Sequence, residues 1–271
     1  MRIGVAHQSD FPPLEDPCAE LCYACSDMSM PFLVYMLPVH NEAVSLRANV
    51  DRLATYLTRF GSAEIFLIEN GSTDDSWDIA QNACRTSPIA VRAYRESGVG
   101  IGYAYDRGLR EALSRFGPSK HHWAVLTAAD LPFGTSDVEA ALVHLDPART
   151  RSRILMGSKA HDDSQVTTSA QRKLMTFVYR VARRSILGMR VGDSQGSLFL
   201  RLDLASELVP VIESRNFFYS TELCHFAERL GEDIIELPIA VEVAARPSTV
   251  RPLEHGSQMA MQLWRLRRRA R

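Results

Sequence analysis

From Pro31 onward, short apolar runs alternate with longer stretches in which apolar residues recur every three or four positions. Residues 32–37 (FLVYML) read as a buried strand, and Val44, Leu46, Val50, Leu53 and Leu57 fall near one face of a helix predicted over 43–58. Residues 64–68 (EIFLI) form a second strand. Ser72, Thr73, Asp74 and Asp75 then offer N-cap chemistry, which puts a turn and a helix N-terminus directly after it. A third strand is predicted over 90–94, a glycine-rich turn and helix run on to Leu113, and a fourth strand spans 122–127. This alternation predicts an α/β fold, a mostly parallel sheet covered by helices on both faces, with ligands at the carboxyl ends of its strands.

The second half is less regular. Strands are predicted at 154–158 and 196–200, an arginine-rich helix at 169–186, a helix at 221–230, and an extended segment over 234–243 interrupted by Pro238. No internal repeat and no long linker divides the chain. Residues 31–255 therefore read as one domain, preceded by a poorly ordered tail at 1–30 and followed by a basic amphipathic helix at 256–271.

Composition narrows the class. With 271 residues, 46% apolar and 23% charged, the chain can bury a sizeable core. A net charge of −1 carries no footprint for nucleic acid, so a DNA- or RNA-binding role is not expected. No run approaches the roughly 18 apolar residues of a membrane span. The acidic start, with Pro12 and Pro13, lacks the apolar region of a signal peptide, so the expected location is the cytoplasm. Cys18, Cys22 and Cys25 have the spacing of an iron–sulfur motif, but Ala24 stands where that motif places an aromatic residue, and they read as inert tail cysteines. His121 and His122 read as a solvated loop, since neighbours on a strand point to opposite faces.

Chemistry concentrates in loops at predicted strand ends. Pro38, His40, Asn41 and Glu42 follow the first strand, and Glu69, Asn70, Gly71 and Ser72 the second. Gly98, Gly100 and Gly102 follow the third; Ala128, Ala129, Asp130 and Leu131 follow the fourth. Glu42, Asn70 and Ser72 are suited to hydrogen-bond a base and ribose. Glycines let backbone approach a ligand, and a carboxylate such as Asp130 can hold a divalent cation against a diphosphate. The glycine turn is not a dinucleotide fingerprint, because Tyr103 occupies the place of its last glycine.

Taken in order, these loops resemble family 2 glycosyltransferases of GT-A fold. Pro38 to Glu42 resembles the family's Pro-x-x-Asn-Glu, Glu69 to Asp75 its acidic second loop, and Ala128 to Leu131 its Asp-x-Asp-Leu. The stretch Gly100 to Tyr105 with Gly108 is most similar to polyprenyl- and dolichyl-phosphate mannosyl- or glucosyltransferases. Gly157, Ser158 and Lys159, then Asp193, Ser194 and Gln195, extend the likeness, as do Glu222, Glu236, Pro238 and the stretch 246–251.

The resemblance implies an inverting hexosyltransferase that moves mannose or glucose from a nucleotide diphosphate sugar to a lipid-linked phosphate, or alternatively to a soluble acceptor. Another alternative is a degenerate GT-A domain that binds without turnover. It implies donor contacts from Pro38, His40, Glu42, Asn70, Ser72, Gly100 and Gly102, and Mg²⁺ or Mn²⁺ on Asp130. Asp193 and Gln195 would border the reacting sugar, and Lys159 and Arg172 would receive the acceptor phosphate. Three departures weaken the metal site: Ala128 replaces an acid, Pro132 stands where relatives carry Gln, and Glu69 with Asn70 replaces two aspartates. The last segment sets Met259, Leu263 and Leu266 at helical spacing beside Trp264 and five arginines between 265 and 271, which suits a peripheral membrane contact.

Overall fold

The computed structural model describes residues 31–240, apart from 147, 149 and 167–169, together with 252–270; the side chains of 170–173, 252–258 and 260 also fall outside the described set. The tail with Cys18, Cys22 and Cys25, the 246–251 stretch and the Arg172 side chain therefore lie outside what is described.

Seven strands form one sheet: β1 Phe32–Val39, β2 Ala63–Glu69, β3 Ala90–Arg95, β4 His122–Leu126, β5 Ile154–Gly157, β6 Leu198–Arg201 and β7 Ile235–Leu237. Their order is β3-β2-β1-β4-β6-β5-β7. The pairs β1–β2, β1–β4, β2–β3 and β5–β7 are parallel, whereas β6 runs antiparallel to both β4 and β5. The helices are α1 Leu46–Leu57, α2 Ser76–Thr86, α3 Ile101–Phe116, α4 Ser136–Ala141, α5 Ala170–Leu187, α6 Leu202–Leu208, α7 Tyr219–Arg229 and α8 Pro252–Arg269.

The period-two alternation of β1 explains why two layers of helix are needed. Val34 and Met36 join Ala104, Leu109 and Ala112 of α3, with Leu204 and Leu223, on one face. Leu33, Tyr35, Leu37 and Val39 meet Val50 and Leu53 of α1, Ala80 of α2 and Val138 of α4 on the other. Helix α3 lies close to the sheet because Gly108 has no side chain; a Cβ there would stand 2.6 Å from the Met36 sulfur.

Three details depart from the sequence reading. Val44, assigned to the buried face of the first helix, is 87% exposed, because α1 starts only at Leu46. The acidic turn before α2 supplies no side-chain cap from Asp75; instead Asp74 accepts from the Ser76 N–H at 3.1 Å and the Ala43 N–H at 3.1 Å, tying two loops together. His122 is not loop-like: it stacks on Phe116 at 4.8 Å and bonds Ser119 at 2.7 Å. Burial, assisted by the charge of His121, lowers its pKa.

Helix α8 also departs from expectation. Leu263 and Leu266 are buried with Phe218 in a cluster that takes in Tyr179, Ala182 and Ile186, so the apolar positions that suited a membrane interface face the domain instead. Arg267 donates to the Ile186 carbonyl at 3.1 Å, and Arg269 to the Val211 carbonyl at 3.0 Å.

Asp137, in the first turn of α4, is buried, and burial raises its carboxyl to about 6. A folded-state pKa above the unfolded value makes this group most favourable when protonated in both states, below about pH 4. Its contribution is lost as the pH climbs to about 6. Asp137→Asn should therefore stabilise the protein at pH 8 by up to about 3 kcal/mol relative to wild type, and by little at pH 4. Urea unfolding at the two pH values checks this; an equal effect at both would show that the carboxyl's charge is not the cause.

Candidate active site

Parallel pairing brings the ends of β1, β2, β3 and β4 to one edge of the sheet. Since β6 is antiparallel, its start also lies at that edge, as does the end of β5. The loops after four strands thus meet the Asp193–Gln195 segment, which precedes β6, and Lys159, which follows β5.

The first two loops are stitched together. His40 Nδ1 bonds the Asn70 carbonyl at 3.1 Å, the Asn41 N–H donates to the Ser72 hydroxyl at 3.1 Å, and the Thr73 N–H donates to Asn41 Oδ1 at 2.8 Å. Asn41 has φ of 57°, a left-handed conformation that asparagine tolerates better than most residues. The Glu42 N–H donates to Ser76 Oγ at 2.8 Å, and the Glu42 carboxylate accepts from the Ser45 hydroxyl at 2.8 Å. Glu69 accepts from the Ser72 N–H at 2.5 Å. Of the expected donor contacts, Pro38 lies within β1, partly buried, and His40 is exposed.

Asn70 is buried, and its side-chain amide donates to the Gly100 carbonyl at 3.0 Å, so it joins the second loop to the glycine turn. Gly100 has φ of 140°, and a Cβ on it would meet the Arg215 carbonyl oxygen at 2.7 Å. A Cβ on Gly102 would stand 2.5 Å from the Arg215 carbonyl carbon. The glycines therefore admit the 212–217 segment against the turn, a partner that no periodicity announces.

Asp130 is exposed just past β4. Tyr105 on α3 has its pKa raised by burial first and by the charge of Asp130 second, which places that carboxylate beside α3. Among the described residues no three of His, Cys, Asp or Glu converge on a metal. The donor set therefore fits a cation held by one protein carboxylate plus diphosphate oxygens, and does not fit a cage made by the protein alone. When bound there, a divalent ion would supply positive charge to the leaving diphosphate.

Across the edge, the Lys159 ammonium lies 3.0 Å from Asp193 Oδ2 and donates to the Gln195 carbonyl at 2.9 Å. Asp193 also accepts from the Lys159 N–H at 3.1 Å and the Gln195 N–H at 2.8 Å. Burial alone would raise its pKa, but the Lys159 charge and these hydrogen bonds outweigh it and hold the carboxyl below its ordinary value. Gln195 reaches the Phe217 carbonyl at 3.0 Å and Thr221 Oγ1 at 3.1 Å. The sequence reading missed Arg215, which lies 3.6 Å from Asp106 of α3, and missed how Glu222 acts: its buried carboxylate accepts from the Glu213 N–H at 3.2 Å and the Ser214 N–H at 2.8 Å and pairs with Arg269.

Residues 35–150 match the family model described as glycosyl transferase family 2. The matched residues carry β1 to β4 and the loops that follow them, so this segment is of the glycosyl transferase family 2 type, set in a sheet of the GT-A kind. Among solved structures the chain is similar to the glucosyl-3-phosphoglycerate synthase of Mycobacterium tuberculosis in complex with uridine diphosphate: 18% identity, 95% of this chain and 85% of that chain covered, TM-score 0.61. The same synthase with Mn²⁺, UDP-glucose and phosphoglyceric acid gives 17% identity, 96% and 84% coverage and a TM-score of 0.62. A further mycobacterial protein gives 19% identity, 95% and 78% coverage and a TM-score of 0.61. At such identities the likeness shows a shared fold.

Proposed function

We propose that this chain transfers a hexosyl group, with inversion, from a UDP-sugar to a small phosphate-bearing acceptor. The observation that carries the reading is the meeting, at one sheet edge, of the His40–Ser72–Gly100 loops and Asp130 with the Lys159–Asp193 pair. Support for the donor and acceptor classes comes from the similar synthase, which was captured with UDP-glucose and phosphoglyceric acid. A lipid-phosphate acceptor reached through the C-terminal helix draws no support from α8, since Leu263 and Leu266 are buried.

In this reading the linked loops hold the nucleotide, with Asn70 fixing the glycine turn against which the diphosphate rests. Asp193 stays ionised beside the reacting sugar, where a fixed negative charge favours the positive charge that develops at the anomeric carbon. Lys159 orients that carboxylate and offers its remaining exposure to the acceptor. Equilibrium binding of UDP, GDP and their hexose conjugates to the full chain tests the donor class. The expected result is preference for UDP compounds; equal or better binding of GDP compounds would overturn it.

Lys159→Ala should raise KM for the acceptor about tenfold while leaving donor affinity unchanged, because the ammonium sits on the acceptor side of the edge. Steady-state kinetics with each substrate varied check this. Equal losses for both substrates would remove Lys159 from the acceptor side.

A further inference from the structure

Segment 212–217 lies where several elements meet. Its front packs on the glycine turn: a Cβ on Gly100 would stand 2.7 Å from the Arg215 carbonyl oxygen, and one on Gly102 would stand 2.7 Å from the Arg215 Cα. At its far end the Phe217 carbonyl accepts from the Gln195 side-chain amide at 3.0 Å, and Thr221, in the first turn of α7, accepts from the same amide at 3.1 Å. One stretch of chain therefore touches both the glycine turn and the neighbourhood of Asp193. Whatever fixes this stretch sets the spacing between them.

The segment joins no strand, so side chains must satisfy and hold its backbone. From the front, Arg215 donates to the Ile212 and Ser214 carbonyls, each at 3.0 Å, and its guanidinium lies 3.6 Å from Asp106 of α3. From behind, Glu222 accepts from the Glu213 N–H at 3.2 Å and the Ser214 N–H at 2.8 Å. Glu222 is only 1% exposed, and a carboxylate so buried needs a cation as well as hydrogen bonds. That cation is Arg269, at the end of α8. It pairs with Glu222, lies 2.5 Å from the Glu213 carboxylate, donates to the Val211 carbonyl at 3.0 Å and rests over the Phe226 ring at 5.3 Å.

Packing alone does not make this link. Leu263 and Leu266 of α8 cluster with Phe218 at the start of α7. Toward 213–216 the surfaces part around a cleft of about 310 Å³, lined by Ser214, Asn216, Gln262 and Arg265, and Arg269 stands in its wall. The arginines in the last turn of α8 also divide by role. Arg267 donates to the Ile186 carbonyl at 3.1 Å and so closes the end of α5, away from the segment. Arg269 reaches the segment itself.

We propose that Arg269 is a positioning residue of the donor site: through Glu222 it holds segment 212–217 against the glycine turn, so that α8 sets nucleotide affinity from behind. The inference rests on the donor reading only for what the turn holds; the link from α8 to the turn does not depend on it. Without the guanidinium, Glu222 is a buried carboxylate lacking its cation. As it turns toward water, the Glu213 and Ser214 N–H groups lose their acceptor and the Arg215 backbone shifts from the turn. An ion pair that only stabilised the fold would instead lower the melting temperature and leave the turn unchanged.

Hydrogen exchange of the full chain, read on peptides covering 98–105 and 210–217, and UDP affinity by calorimetry test the link. In Arg269→Gln both stretches should exchange at least about fivefold faster, because local opening there costs less. UDP should bind about tenfold more weakly. Arg267→Gln, which loses a helix-end contact in the same turn of α8, should lower the melting temperature without moving either readout. The double variant of Arg269→Gln with Glu222→Gln should lose no more UDP affinity than Arg269→Gln alone, since both act through one contact; additive losses would overturn the path through Glu222. Should Arg269→Gln fold poorly, Arg269→Lys keeps a cation beside Glu222 while giving up the fork to Val211 and Glu213, and it should show the same two changes at smaller size. Exchange at 98–105 within about twofold of wild type in the variant that folds overturns the proposal, whether or not the chain binds UDP. Faster exchange there with unchanged UDP affinity overturns it as well. A wild-type chain that binds neither UDP nor its hexose conjugates would instead sink the donor reading, and the exchange comparison would still decide the link.

Discussion

Asp130→Ala is expected to fold normally and to lose more than nine-tenths of its turnover with any sugar nucleotide. The side chain is exposed, so its removal leaves no cavity in the core. In the proposed reading its functional weight is large, because Ala128 stands where the resemblance places a second acid and Asp130 is the carboxylate left at the end of β4 to hold the cation. A variant that retains more than about a tenth of wild-type kcat would have lost under about 1.4 kcal/mol of barrier lowering, too little for the sole protein ligand of a catalytic cation. Calorimetric titration with Mn²⁺ in the presence of UDP gives a second readout. Affinity should fall in Asp130→Ala and rise in Ala128→Asp, and an unchanged affinity in both would remove the cation from this strand end.

Gly102→Ala is expected to weaken UDP binding about tenfold and to destabilise the protein by about 1–3 kcal/mol, the usual scale for forcing an extra methyl into packed structure. The added Cβ would meet three backbone atoms of the opposing segment, the Arg215 carbonyl carbon at 2.5 Å, its Cα at 2.7 Å and the Asn216 nitrogen at 2.8 Å. Backbone cannot swing aside as a side chain does, so either α3 or the 212–217 segment must move. That segment is fixed from behind by Glu222, which accepts from the Glu213 and Ser214 N–H groups. Movement of the turn would also strain the Asn70 to Gly100 hydrogen bond that joins it to the second loop. Unchanged UDP affinity, with or without lost stability, would place the glycine turn outside the donor site.

The half of the sheet from β1 to β4 was legible in the sequence because its signals are local. β1, β2 and β4 are apolar runs closed by turn chemistry, and the predicted strand at 90–94 differs from the observed Ala90–Arg95 by one residue. Errors arose where tertiary contacts decide. Val44 has the right residue type for the face of α1 but precedes the helix, whose first turn is set by the Glu42 carbonyl accepting from the Leu46 N–H at 2.8 Å. Helices α4 and α6 are six and seven residues long, too short for a helical period to stand out. Leu263 and Leu266 carry the same pattern whether a helix faces a membrane or α5, and only the cluster with Phe218 decides between them. At the strand ends, loop order and residue type pointed to residues that the fold brings to one edge of the sheet. The pairing of Lys159 with Asp193 and the seating of Arg215 on the glycine turn join positions 34 and more than 100 residues apart, and no local pattern encodes such contacts.

The central claim is hexosyl transfer by this chain, and detection of product tests it most directly. The purified chain would be incubated with UDP-glucose, Mn²⁺ and a set of small phosphate esters that includes phosphoglyceric acid, and the mixture read by mass spectrometry beside Asp130→Ala. The account predicts an acceptor gaining the mass of one hexosyl residue, with UDP released in equal amount and product at least about tenfold lower in the variant. UDP-glucose that binds but yields no glycosylated product with any phosphate-bearing acceptor or with GDP-sugars in its place would contradict the account, and would leave a GT-A domain that recognises nucleotide without turning it over.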